Sequence, residues 1–343
     1  MNAAFAHPID PAVELVCPAG TLAALKSAVD NGADAVYFGF RNGSNARNFP
    51  GLNFNRDEAV EGVRYAHEQA ARAFVAINVF PDPTRWQQAT AAVDHAAELD
   101  VDALILADIG LMHYAAERYP HVPLHLSVQA SATNWLAIEF YRKHFGIRRA
   151  VLPRVLSQAQ VVRLVQRSSV DIELFGFGSL CVMAEGRCAL SSYATGQSPN
   201  THGVCSPAHA VRWEETASGR QARLNGVLID CFAMDEPAGY PTLCKGRFKV
   251  GSETYHAIEE PTSLNALDIL PQLIAMGVKA IKVEGRQRSA AYVGQVTRLM
   301  RAALDACGKQ VYADDKVANL KLKLDRMAEG RTHTLGAYDR PWQ

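Results

Sequence analysis

Residues 14–40 read ELVCPAGTLAALKSAVDNGADAVYFGF. The stretch opens on an apolar run, Glu14–Cys17, and turns through Pro18–Gly20. A helical pattern follows over Thr21–Asn31, and a second apolar run, Ala35–Phe40, closes it. Gly32 stands where the helical pattern ends, the position of a C-cap glycine that leads into a short loop. Near-continuous apolar runs imply strands buried on both faces, as in parallel sheets covered by helices.

The rhythm repeats outward from this unit. Further strand runs are Phe74–Phe80, Ala103–Ala107, Leu124–Gln129, Ala150–Leu152 and Ile172–Phe177, with an eighth at Ala280–Glu284. Helical patterns lie over Asp57–Ala71, Thr84–Leu99, Leu111–Arg118, Trp135–His144 and Gln158–Arg167, and over Ser263–Met276 and Ala290–Ala306 around the eighth strand. Eight strand–helix units predict an α/β fold, a (β/α)8 TIM-like barrel. A doubly wound open sheet is the alternative, but no G-x-G-x-x-G follows the first strand. The rhythm breaks once, between Ser179 and Thr262, in a long cysteine-rich excursion after strand seven. The expected division is 1–178 for the first seven units, 179–262 for the excursion, 263–308 for a closing helix–strand–helix, and 309–343 for a C-terminal tail. That tail has a helical piece around Val317–Met327.

The 343 residues are 48% hydrophobic, enough for a large core. Lys+Arg and Asp+Glu balance at 35 each, so no basic footprint argues for a nucleic-acid partner. No apolar run is long enough for a membrane span, and the first residues, MNAAFAHPIDP, do not read as a signal peptide. The expected location is the cytoplasm, where clustered cysteines point to metal or redox chemistry before disulfides.

Five of the seven cysteines fall between residues 181 and 244. Cys181, Cys188, Cys205 and Cys244 sit among glycines and prolines, including Gly186, that allow close backbone approach to a bulky centre. From spacing, three readings stand. The thiols are buried as small hydrophobes; they hold a structural zinc, although no C-x2-C or C-x4-C pair is present; or they hold an iron–sulfur cluster, whose ligands can come from separated loops. Cys231, in the strand-like run GVLIDCFAM, reads as packed, and Cys17 and Cys307 as core.

Polar residues gather at the predicted C-terminal ends of strands, the face where barrel enzymes build active sites. They are Asn45 and Arg47 after strand two, Asn78 ending strand three and Asp108 after strand four. Gln129, Ser131 and Asn134 follow strand five, Arg154 follows strand six, and Glu284 and Arg286 close strand eight. Asp108 and Asn134 read equally as helix caps, and Glu284 with Arg286 as a structural ion pair. Asn45, Arg47, Gln129, Glu284 and Arg286 are the candidate substrate contacts.

The stretch ELFGFGSLCVMAEGRCALS, residues 173–191, resembles the signature of the collagenase-like peptidase family. The resemblance extends through CPAGTLAALKSAVDNGADAVYFG, SNARNFPGLNF, LSVQASATN, SPNTHGVCSPA, GYPTLCKGR, EEPTSLN, KVEGRQRS and the tail LGAYDRPWQ, and so spans the chain from Val13 to Gln343. The similarity is strongest to the branch serving oxygen-independent ubiquinone biosynthesis. It implies a [4Fe-4S] cluster on Cys181, Cys188, Cys205 and Cys244. It also implies a heterodimer with a UbiV-like homologous subunit, a UbiT-like lipid carrier in the same pathway, and a quinone precursor hydroxylated with prephenate as oxygen donor. The family's peptidase label is a rival, but no H-E-x-x-H or G-x-S-x-G occurs; His67-Glu68 continues Gln-Ala-Ala-Arg. RNA hydroxylation, an activity of other members, and a non-catalytic electron-transfer or scaffold subunit are further alternatives.

Overall fold

A computed structural model describes residues 13–181, 188–309, 311–312 and 314–339. Residues 182–187 of the quoted signature, with Gly186, and residues 340–343 of the tail lie outside these. Eight parallel strands form the barrel: β1 (Glu14–Pro18), β2 (Ala35–Phe38), β3 (Arg72–Ile77), β4 (Ala103–Leu106), β5 (Leu124–Leu126), β6 (Arg149–Val151), β7 (Asp171–Ser179) and β8 (Ala280–Val283). Each pairs with the next, and β8 pairs with both β7 and β1, which closes the sheet. The fold is therefore the predicted TIM-like barrel.

Helices α1 (Leu22–Asp30), α2 (Arg56–Glu68), α3 (Trp86–Glu98), α4 (Ile109–Arg118), α5 (Trp135–Phe145), α6 (Gln158–Arg167), α7 (Leu270–Ala275) and α8 (Ala290–Gly308) surround it. Local chemistry starts most of them. Thr21, Asp108, Asn134 and Ser289 each accept a first-turn N–H, and Asn55–Glu58 and Ser157–Gln160 form capping boxes. The main apolar core lies between these helices and the outward faces of the strands.

The inside of the barrel is different. Strand parity points Val16, Ala35, Tyr37, Phe74, Ala76, Ala103, Ile105 and Ala280 inward. The alanines leave room for buried charges. Arg149 meets Glu14 at 2.7 Å and Glu173 at 3.2 Å, and Lys282 meets Glu173 at 2.6 Å. Lys282 Nζ also lies 3.8 Å from the centroid of the Tyr37 ring. Charges this deep persist only when paired, and here each one is. Barrel interiors more often carry branched aliphatics, so this ionic interior is a departure that alternating polarity did not reveal.

Beyond β7 the chain forms a short helix, Ala189–Thr195, and a three-stranded antiparallel sheet, Val211–Thr216, Gly219–Leu224 and Val227–Phe232. A hairpin, Phe248–Val250 with Glu253–Tyr255, follows. The expected helix over Ser263–Met276 is corrected. Ser263–Asn265 is a strand, antiparallel to the end of β7 and parallel to His333–Thr334, and the α-helix begins only at Leu270. Pro271 explains the difference. It is tolerated in the first turn of a helix, whereas a helix begun at Ser263 would bury it in the interior and break there.

Candidate functional site

The loops after the strands meet at the C-terminal mouth of the barrel. The loop between β2 and α2 is held by three asparagines. Asn45, fully buried, donates to Phe40 O at 3.0 Å and accepts from Arg47 N at 3.0 Å. Asn78 accepts from Ala46 N at 3.0 Å and donates to Ser127 Oγ at 3.0 Å. Asn53, at φ 70°, donates to Arg47 O at 2.7 Å. Asn45 and Asn78 thus set the backbone on which Arg47 stands.

Arg47 reaches back to Glu284, with Nε 3.4 Å from Oε1. Burial by itself would raise the Glu284 carboxyl, but the charges of Arg47, Arg154 and Arg288 outweigh it and hold the group below the usual range. Glu284 therefore pairs with Arg47 across the mouth, and the expected Glu284–Arg286 pair does not form. Arg286 is 4% exposed, and its Nη1 has no hydrogen-bond partner among the described residues. Burial lowers it to about 10, partly countered by Tyr37, so it stays cationic at neutral pH.

These groups line a cleft of about 510 Å³, its open mouth included. Arg47, Gln129, Arg154, Lys282, Glu284 and Arg286 supply polar walls, and Tyr37, Ile105 and Phe175 apolar ones. Arg154 lies over the Phe175 ring at 4.4 Å and donates to Ser179 O at 2.5 Å. Four cations against the nearby Glu284 and Glu173 favour an anionic, partly apolar guest. Asp108 and Asn134 are N-caps, bonded to Leu111 N and Ala137 N. Ser131 sits at φ 52°, at the end of the turn that carries Gln129.

Of the five excursion cysteines, Cys205 lies near enough to Arg47 at this mouth to feel its charge. Burial pushes the Cys205 thiol up to about 12; Arg47 opposes the rise, while Cys181, Cys188 and Cys244 add to it. Cys244 is raised by burial and also feels Cys188. Cys205 therefore feels the charge of the other three thiols, and Arg47 feels Glu284, Cys205 and Cys181. Their segments are stapled together. Asn48 N donates to Gly203 O at 3.2 Å, Tyr240 OH accepts from Ser206 N at 2.7 Å, and Ser206 Oγ donates to Pro241 O at 2.5 Å.

A single zinc with four thiolates would draw the sulfurs to about 3.8 Å apart. Among the described residues no three His, Cys, Asp or Glu side chains converge closely enough to hold a metal ion. Cys231 is exposed where packing was expected. A register shift between Leu228 and Asp230 breaks the alternation, so Asp230 turns inward to Arg247 at 2.5 Å and Cys231 faces out. Cys17 and Cys307 are buried. No helix among the described residues is long and apolar enough to cross a membrane.

The family model for peptidase family U32 matches residues 20–339. The chain is 32% identical over 323 residues to tRNA hydroxylation protein P of Escherichia coli (strain K12), covering 86% of this chain and 69% of that protein. It is 32% identical over 333 residues to an uncharacterized protease of Methanocaldococcus jannaschii, covering 96% of this chain and 73% of that one. A third relative, the 23S rRNA 5-hydroxycytidine C2501 synthase of Escherichia coli (strain K12), is 29% identical over 297 residues, covering 86% of this chain and 39% of that protein. The match from the first βα turn to the C-terminal segment takes in both the barrel and the cysteine excursion, and the chain belongs to peptidase family U32.

Proposed function

We propose that the chain is an iron–sulfur subunit of an oxygen-independent hydroxylase, with a [4Fe-4S] cluster on Cys181, Cys188, Cys205 and Cys244. The observation that carries the proposal is the Cys205 thiol, which feels Cys181, Cys188, Cys244 and Arg47, beside a cationic cleft that Arg47 lines. Relatives named for tRNA hydroxylation and for hydroxycytidine synthesis support the reaction type. When bound, such a cluster supplies electrons at a potential set by burial and nearby charge. The chain's own residues bind and orient. Arg286, with its free Nη1, takes a carboxylate; Arg47, already shared with Glu284, positions that guest; Tyr37 and Phe175 keep the aromatic part dry.

The substrate we assign is the aromatic ring of a ubiquinone precursor, with prephenate as oxygen donor. This is the role of UbiU-type members, exercised with a UbiV-like subunit and a UbiT-like lipid carrier. The flanking motifs LSVQASATN, EEPTSLN and KVEGRQRS support it, as does the absence of net positive charge. RNA hydroxylation is the second reading, favoured by the names of the relatives. A deletion strain grown without oxygen separates the two. Loss of ubiquinone with accumulation of unhydroxylated precursors supports the first reading. Normal ubiquinone with loss of a hydroxylated nucleoside from total RNA supports the second and overturns the first.

A further inference from the structure

The cysteines arrive on segments that the barrel does not itself bring together. Cys181 leaves the end of β7, and Cys244 lies far along the excursion. Both segments are tied to one carboxylate from the C-terminal part of the chain. Glu329 accepts from Ser179 Oγ at 3.0 Å, two residues before Cys181, and from Lys245 Nζ at 2.6 Å, next to Cys244. The ion pair is largely sheltered, with Lys245 10% and Glu329 16% exposed.

The carboxylate is itself fixed. Glu329 N donates to Ser263 Oγ at 2.8 Å, and Ser263 pairs across from Ser179 in the antiparallel extension of β7. Gly330 follows at φ 61°, and a Cβ there would come within 2.2 Å of Pro261 O, so the turn admits only glycine. The strand His333–Thr334 then pairs with Ser263–Leu264 and pins the segment. The far side of Lys245 is held too, with His256 Nδ1 3.0 Å from Lys245 O.

We propose that Glu329 is a positioning residue for the thiol set, closing the Cys181 and Cys244 segments onto each other before any metal group binds. The inference rests on the cluster reading given above. A carboxylate that closes two long loops removes freedom the ligands would otherwise lose on binding. Outer-shell partners of this kind commonly matter by ten- to a hundredfold in metal affinity.

The experiment is anaerobic reconstitution of the full chain with iron and sulfide. Iron and sulfide per chain, the rate of iron loss to a chelator, and the melting of the metal-free chain are then measured. Variants are E329A, K245E, the swap K245E/E329K, and Gly330→Ala as an independent way to dislodge the turn. The expected result is full loading in the native chain and iron loss at least about tenfold faster in E329A, K245E and Gly330→Ala. The swap should recover most of the retention; melting of the metal-free chain should fall in Gly330→Ala, whose Cβ meets Pro261 O, and move far less in the swap. Native-like retention in E329A overturns the inference, as does loss that the swap leaves unrepaired. A native chain that takes up no iron and sulfide refutes the cluster reading instead, which keeps the two failures apart.

Discussion

Arg286 brings a guanidinium into the barrel mouth with Nη1 unpartnered among the described residues, whereas Arg47 beside it is paired with Glu284. The two arginines are therefore unequal, although both follow strand ends and look alike in the sequence. R286A should lower precursor hydroxylation in cells by at least about tenfold, because a charge-assisted contact to a carboxylate is lost. E284Q should cost less, since Arg47 keeps its backbone bond to Ala46 O at 2.8 Å. Equal activity in R286A and the native strain would remove the carboxylate role. A second residue-scale prediction concerns His125, inside the barrel against Phe74. Burial first, then the charge of Arg149, lowers it from 6.5 to about 3. Its folded value lies below its unfolded one, so the unfolded chain binds the extra proton between those limits. The stabilisation is complete above pH 6.5 and drains as pH falls toward 3, at up to about 1.4 kcal/mol per pH unit. Urea unfolding of His125→Gln should accordingly show a shallower loss from pH 6.5 to 4.5 than the native chain. Parallel curves would contradict the assignment. None of this was legible from spacing, because a histidine alternating with leucines in LHLSV gives no sign of what lies opposite it.

At the scale of elements, sequence reading succeeded where one signal dominated. The continuous apolar runs of VYF, FVAI and ALIL placed the strands, and Asp108 and Asn134 were visible as caps. It failed where signals competed. The apolar pattern over Ser263–Met276 masked Pro271, and the register shift in Val227–Phe232 turned Cys231 outward against its alternation. The ionic interior of Glu14, Arg149, Glu173 and Lys282 escaped because each charge pairs across strands far apart in the chain. The contact between the β2–α2 loop and the Cys205 segment is also of this kind. Gly203 sits at φ 81°, and a Cβ on it would meet Asn45 O at 2.4 Å. Gly203→Ala should separate the Cys205 segment from the Arg47 loop and destabilise the native state by about 1–3 kcal/mol. Chemical denaturation checks the stability. Metal retention should fall with it, and an unchanged midpoint would mean that the loops are not clamped there.

Across the whole molecule, the barrel supplies a rigid mouth and the excursion delivers thiols to it. The family carries both peptidase and hydroxylation names, and neither H-E-x-x-H nor G-x-S-x-G occurs in this sequence. A metal-free chain should accordingly leave denatured collagen intact, and cleavage under those conditions would revive the peptidase reading. The fold was readable because strand rhythm is a local property. The sequence offers Cys181, Cys188, Cys205 and Cys244 as candidates but not as a site, since their proximity depends on where the excursion returns. The most direct measurement is an assay of iron, sulfide and zinc per chain, with the absorbance spectrum, after anaerobic purification. It is made on the native chain, on alanine variants of those four cysteines, and on Cys231→Ala. The account predicts about four irons and four sulfides per native chain, lost in each of the four variants and kept in Cys231→Ala. One zinc with no sulfide would contradict it and leave the hydroxylation proposal without its redox group.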